Sequence, residues 1–510
     1  MIPTHIISIV VFLPLAGAIL LLALPRGAEN AIRRWALFVS ILEFLAAAHI
    51  AIMPGHHFSI AGWAMEENYA WITTPAIRYH VVLDGISLWL VILTAFLTPL
   101  CVLISWRSVH DRVKEFFFLL LLLETSLIGV FVAFDLFLFY FFWEATLIPM
   151  ALLIGMYGHG RRIYAAIKFF LYTGIASVFM LAGILWLYAH TGSFDFTRIQ
   201  PWLHAHPEVA AGTAGTWLFL GFFIAFAVKV PIFPLHTWLP DAHVEAPTAG
   251  SVLLAGVLLK MGTYGLLRFC VGLFPEAARA QASWINVLAI IGIIYGALVA
   301  MVQPSLKKLV AYSSVSHLGF VVLGIFTFTA AGTAGAVYQM LNHGVSTGAL
   351  FILVGMLYER RHTYEIGEFG GLASRMPVYA AFFVFIALSS IGLPLLNGFV
   401  GEFLILSGAF KDRAIYGILG ASGVIWSACY MLWMIQRVFY GENRNPANAM
   451  LPDANAREKL TLWPLSAAAL MMGVAPMIWL SSINPGIQPI LNLVHPAQTA
   501  LVRTFGGGAR

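Results

Sequence analysis

Charged residues are scarce in this chain. Asp, Glu, Lys and Arg make up 10 % of its 510 residues, against about 25 % in a soluble domain. So few charges cannot cover a water-facing surface of this size, and the usual division of a long chain into soluble domains is excluded. Cysteine is scarcer still. Cys101, Cys270 and Cys429 stand in separate apolar stretches with no Cys-x-x-Cys spacing. That excludes a disulfide framework, iron–sulfur ligation and a zinc ribbon, and the three read as small buried hydrophobes. Also missing are a G-x-G-x-x-G after a strand, a P-loop and a haem-attachment motif, so the chain is expected to hold no redox cofactor of its own. Its formal net charge is +5 and its pI is near 9.0. Loop Lys and Arg that set membrane topology account for this excess without a nucleic-acid partner.

What the chain has instead is apolar residues, 60 % of the total. Mean hydropathy is +0.87 over the whole length, too high for one anchor on a soluble protein. Continuous apolar runs point to helices in lipid rather than a closed barrel, whose strands would alternate. At about 20 residues per span, the sequence divides into fourteen: 6–24, 34–53, 81–106, 116–134, 136–157, 164–190, 215–243, 249–270, 285–303, 309–329, 333–358, 378–409, 415–438 and 461–481. The expected fold class is all-α integral membrane, a single polytopic domain over 1–510 surrounded by lipid. The run from Ile6 to Leu24 lacks a basic leader and is too long for a signal peptide, so it counts as a span.

Loop charges support this division. Arg26, Arg33, Arg34, Arg107, Arg112, Lys114, Arg161, Arg162, Lys307, Lys308, Arg360, Arg361, Arg375, Arg437, Arg444, Arg457 and Lys459 fall on one side. Only Arg78, Arg198, Arg279, Lys411, Arg413, Arg503 and Arg510 fall on the other. The positive-inside rule makes the first side cytoplasmic and places both termini on the outer, periplasmic face.

Two spans carry their own interruptions. The seventh reads FAVKVPIFPLHTWLPDAHVEAP with Pro231, Pro234 and Pro240; the twelfth reads LSSIGLPLLNGFVGEFLIL with Pro394, Gly398 and Gly401. Proline removes a backbone donor and clashes with the preceding turn, so both helices are expected to break near mid-membrane. Broken helices in corresponding halves mark inverted-repeat transport folds. The chain accordingly divides into two inverted five-helix repeats, 116–270 and 285–438, with helices 7 and 12 broken.

Ionisable residues inside spans cost about 2.5 to 3.5 kcal/mol each on insertion scales, so a chain that keeps several is using them. Lys168 and Arg268 lie near span ends and can snorkel. Glu144, Lys229, Lys260, His317, His343 and Glu402 cannot, because each lies near the middle of its span. Burial moves carboxyl and amine pKa values toward the neutral form and an ion pair moves them back. A buried lysine with a movable carboxylate is therefore switchable between holding and releasing a proton. Glu144 with Lys229 is the natural pair; Lys260, His317 and His343 would carry the proton onward, and Glu402 would pass it out or refill the line. Glu124 and His236 are accessory candidates. Glu43 lies outside both repeats and reads as a packing residue. His236, Asp241, His243 and Glu245 cluster in HTWLPDAHVEAP, where a polar loop at a helix break is a better reading than a metal site.

The runs WEATLIPM, KVPIFPLHTWLPDAHVEAPTAGSVLLAGVLLKMGTYG, KKLVAYSSVSHLGF, LNHGVSTGALFILVG and GLPLLNGFVGEF resemble the antiporter-type membrane subunits. These occur in NADH:quinone oxidoreductase (respiratory complex I), multisubunit cation/proton antiporters and membrane-bound hydrogenases. The resemblance extends from about residue 80 to 440. It implies that Glu144, Lys229 and Lys260 form a half-channel and central site, continued by His317 and His343. L- and N-type subunits and the antiporters carry lysine in the broken twelfth span, whereas the M type carries glutamate, here Glu402. The absence of a long lateral C-terminal helix points the same way. The resemblance implies a proton-translocating subunit of a bacterial inner-membrane complex. NADH, FMN, iron–sulfur clusters and quinone would be held by partner subunits, and other antiporter-type subunits would lie alongside.

Overall fold

The computed structural model describes residues 5–52, 63–443 and 445–495. The expected placement of the two termini, and of Arg444, Arg503 and Arg510, lies outside the described residues. Two helices, α1 (Ile6–Leu22) and α2 (Glu29–Ile52), lead into an antiparallel hairpin of β1 (Trp63–Ile72) and β2 (Ile77–Asp84). Next come α3 (Ser87–Ser105), α4 (Val113–Val132), α5 (Leu136–Ala145), α6 (Leu147–Tyr157) and α7 (Arg162–Thr191). Short helices α8 (Phe196–Ala205) and α9 (Pro207–Ala210) precede α10 (Thr213–Lys229), α11 (Trp238–Glu245), α12 (Thr248–Leu253) and α13 (Leu259–Gly265). The second half holds α14 (Pro275–Met301), α15 (Leu306–Phe326), α16 (Ala330–Arg361), α17 (Leu372–Arg375), α18 (Pro377–Ser390), α19 (Asn397–Asp412), α20 (Ala414–Phe439), α21 (Ala456–Val474) and α22 (Met477–Val494).

Ten helical stretches are long and apolar enough to cross a membrane, or eleven when α21 and α22, bent by 69° at their junction, make one span. The other three of the fourteen expected spans fall on shorter apolar helices, α1, α10 and α18. Two of these are short because they stop at the predicted breaks. α10 ends at Lys229, ahead of Pro231 and Pro234, and the chain resumes as α11; α18 ends at Ser390, ahead of Pro394, and resumes as α19.

The all-helical expectation needs one correction. The third span was expected to begin at 81, but Val81–Asp84 belong to β2, where Val81 and Val82 pair with Glu67 and Glu66 of β1. β-Branched residues suit the extended strand, and the Asp84 carboxylate then accepts from the backbone N–H groups of Ile86 (3.0 Å) and Ser87 (2.9 Å), starting α3.

At the centre lie α16 and the continuous helix Thr248–Val271, which contains α12 and α13; both are buried along their apolar stretches. The central helix widens into π turns at Leu254–Leu258 and Leu266–Val271. α2, α7 and α20 lie at the periphery and expose Phe38, Ile167, Leu171 and Ile418. Such unbroken apolar faces suit lipid or neighbouring membrane helices.

Candidate functional site

The central helix and α16 bring Lys260 and His343 together. Lys260 is fully buried; its ammonium donates to the Ala255 carbonyl, inside the first π turn, and lies 2.6 Å from His343 Nδ1. Close approach of the two helices makes this contact possible. A Cβ on Gly344, next to His343, would stand 3.0 Å from the Gly256 carbonyl oxygen and 2.5 Å from Leu93. The His343 ring meets that of His317 on α15 edge to face, with centroids 6.0 Å apart. His317 Nδ1 in turn lies 3.0 Å from Glu402 Oε1 on α19, and Gln339 Nε2 donates to the same oxygen at 3.1 Å. Ser390 Oγ and the Tyr430 hydroxyl approach His317 Nε2 at 3.5 and 3.4 Å. Four of the six central candidates therefore form one connected buried line, Lys260–His343–His317–Glu402. Glu402 stands at the second helix break, with Oε2 facing Gly392, whose φ is +79°.

Glu144 and Lys229 do not touch. No nitrogen–oxygen contact within 4.0 Å joins them. The Lys229 ammonium has no hydrogen-bond partner and lies 5.3 Å from the ring centroids of both Trp143 and Phe169. The reason lies in helix rotation. α5 points Trp143 inward, and the next residue projects about 100° around the helix, leaving Glu144 half-buried with its Oε1 enclosed and without a hydrogen-bond partner. Glu144 still acts on Lys229 through its field.

The remaining candidates separate. His236 is buried among the rings of Phe233 and Tyr295, away from the line's hydrogen bonds, and Glu124 faces Glu43 rather than Lys260. The HTWLPDAHVEAP cluster does not converge: Asp241 pairs with Lys168 at 2.7 Å, which gives Lys168 a partner instead of a free snorkelling end. Arg268 pairs with Asp84 and also donates to the Tyr264 hydroxyl at 3.3 Å. His243, read in the sequence only as part of that loop cluster, is fully buried, with neither ring nitrogen hydrogen-bonded. It stacks on Phe351 at 4.5 Å and lies in the fields of Lys260 and Lys307. Gln339, Ser390 and Tyr430 were also missed; polar residues on apolar helices were the only signal for them, and such residues abound in α16.

An acidic network at the hairpin end fixes α5. Asp135 caps that helix by accepting from the N–H groups of Phe137 and Leu138, and it also accepts from the Arg78 N–H at 3.1 Å. Burial pushes the Asp135 carboxyl up to about 6, with the Asp195 charge adding to it and the three N–H bonds opposing it. Asp195 goes the other way. Burial raises it, but bonds from His80 (3.0 Å) and Thr197 outweigh that and hold it below the usual carboxylate range.

Comparison with known proteins agrees with this architecture. The family model described as NADH:quinone oxidoreductase/Mrp antiporter, TM, matches residues 133–426, and that described as NADH-ubiquinone oxidoreductase chain 4, amino terminus, matches 37–130. NADH-quinone oxidoreductase subunit M of Rhodobacter capsulatus is 44 % identical over 514 residues, covering 99 % of each chain. Among solved structures, a chain of respiratory complex I from Thermus thermophilus with bound NADH is 34 % identical, with a TM-score of 0.85 over 96 % of this chain and 99 % of that one. A chain of the Mrp complex from Dietzia sp. DQ12-45-1b shares the fold, with a TM-score of 0.81 at 22 % identity over 98 % of each chain. With a family model over more than half its length and a relative this similar end to end, the chain belongs to the NADH:quinone oxidoreductase/Mrp antiporter family of membrane subunits.

Proposed function

We propose that the chain carries one proton pathway of a NADH:quinone oxidoreductase, as an M-type subunit in a bacterial inner membrane with both termini periplasmic. The observation that supports this reading is the buried line from Lys260 to Glu402, which ends at a helix break. Lys260 hands a proton to His343 Nδ1 across 2.6 Å. The 6.0 Å ring-to-ring step to His317 suits transfer through one water. His317 then passes the proton to Glu402 at 3.0 Å, beside the opened backbone of the second break. Lys229 would feed the line, with Glu144 swinging toward it to hold a proton and away to release it; Glu124 and His236 stay outside the central path.

The two breaks, each in the fourth of five consecutive helices, support the reading of 116–270 and 285–438 as inverted repeats. Irregular backbone of this kind persists in a bilayer where it faces protein or a hydrated cavity. NADH, FMN, iron–sulfur clusters and quinone would belong to partner subunits, and other antiporter-type subunits would be the neighbours. The rival reading, a gradient-driven cation/proton antiporter or hydrogenase subunit, rests on a fold shared at 22 % identity, whereas the M-type relative is 44 % identical over a similar length.

The test is NADH-driven proton uptake into inverted membrane vesicles for the parent, Glu144→Gln and Lys260→Ala. Assembled complexes that lose uptake together with coupled quinone reduction support the pathway. Uptake at the parental rate in both variants overturns it.

A further inference from the structure

Two embedded carboxyl groups take no part in this line. Glu43 on α2 and Glu124 on α4 are each wholly buried, and none of their four oxygens has a hydrogen-bond partner. α2, α3 and α4 pack against one another, and this turns the two side chains into each other's field. From α3, Cys101 lies in the field of Glu124, and the Thr98 hydroxyl approaches it while donating its own proton to the Thr94 carbonyl at 3.0 Å. No cation among the described residues acts on either carboxyl.

Two carboxylates side by side in hydrocarbon, without a counter-ion, cannot both be ionised. Desolvation and mutual repulsion both favour keeping at least one proton on the pair, which then titrates as a unit. A structural brace would show hydrogen bonds, and these groups make none. A metal cation would need about six oxygen ligands, more than this site presents; a proton needs one. α4 also packs against α5, the helix of Glu144, with Phe142 seated on Gly129.

From this geometry we infer that Glu43 and Glu124 form a second proton-binding site, a carboxyl pair that shares protons apart from the Lys260 line and exchanges one during turnover. It rests on the reading that the complex drives protonation changes in this chain.

The test is the NADH-induced infrared difference spectrum of the assembled complex, recorded in H2O and D2O. The parent is expected to show a carboxylic-acid carbonyl band that shifts down in D2O. Glu43→Gln and Glu124→Gln should each lose it, and Glu124→Asp should move it rather than remove it. Absence of the band from the parent, or its survival in both glutamine variants, overturns the assignment, as does a band that responds to sodium at fixed pH. Lys260→Ala separates the two readings: it should slow proton uptake by about a hundredfold and keep this band. Parental uptake in that variant would sink the Lys260 pathway and leave the carboxyl pair standing.

Discussion

A lysine already hydrogen-bonded to an imidazole can pass on a proton with little motion, and Lys260 is so placed against His343. Lys260→Ala should slow proton uptake by about a hundredfold, in the range for removing a positioned proton carrier, without impairing assembly, as vesicle acidification and native gels would show. Glu402→Gln keeps an oxygen for His317 and Gln339 but cannot take up charge. It should assemble normally and lose uptake, with Glu402→Asp recovering part of it. The identity of these side chains was legible in the sequence because an ionisable residue stands out in a long apolar run. Their partners were not. Spacing along one helix does not give its rotation against another, so the pairing of Glu144 with Lys229 could be named without showing that Trp143 lies against the ammonium. The burial of His243 beside the line was hidden for the same reason.

For whole elements, the breaks were legible and the hairpin was not. Pro231, Pro234 and Pro394 act locally, on the turn they interrupt, so their positions alone located the ends of α10 and α18. β1 and β2 stabilise each other only once paired, and an apolar VVL at the end of β2 was indistinguishable from the start of a span. The second break yields a direct test. Gly392 has φ +79°, and a Cβ there would lie 3.1 Å from Glu402 Oε2. Gly392→Ala should therefore cost about 1 kcal/mol or more in backbone strain and displace Glu402, lowering both melting temperature and proton uptake.

The network around α5 predicts opposite pH responses from two neighbours. Asp135, raised from 3.8 to about 6 by burial, contributes most below its unfolded pKa and loses that contribution as pH rises toward 6. Asp135→Asn should thus gain stability relative to the parent between about pH 4 and pH 7. The gain is at most about 3 kcal/mol, because each pH unit between the unfolded and folded values is worth about 1.4 kcal/mol. Asp195, held low by His80 and Thr197 against the burial that raises it, contributes above its unfolded pKa and loses that contribution as pH falls through its folded value. Asp195→Asn should cost most at neutral pH and least in acid. Thermal unfolding of the purified complex across this range reads both.

At the scale of the whole molecule, one polar contact that joins helices far apart in the chain is open to measurement. Arg360 at the end of α16 donates to both carboxylate oxygens of Glu458 on α21, each at 2.7 Å. Removing one partner of a buried pair costs about 3–5 kcal/mol. Glu458→Ala should therefore lower the melting temperature and the yield of assembled complex while leaving the catalytic rate per complex unchanged. Membrane class and the approximate path of the chain were evident from apolar length, because lipid forces every backbone group into helices. The division into spans was less exact, since an apolar run does not show where a helix bends, as α21 and α22 do.

The π turns of the central helix give it a property that a regular helix lacks. A wide turn holds one residue more than the α-helical repeat requires, much as a dislocation holds an extra half-row in a crystal. Such a defect can migrate while the lattice on either side stays put. In Thr248–Val271 one wide turn, Leu254–Leu258, lies just before Lys260, and its Leu254 carbonyl accepts from the Leu259 N–H. Shifting the defect past Lys260 would turn that side chain by about one residue's rotation, roughly 100°, with both helix ends anchored. Reorienting the central ammonium thus requires no piston or hinge, only the passage of a fault along a fixed rod.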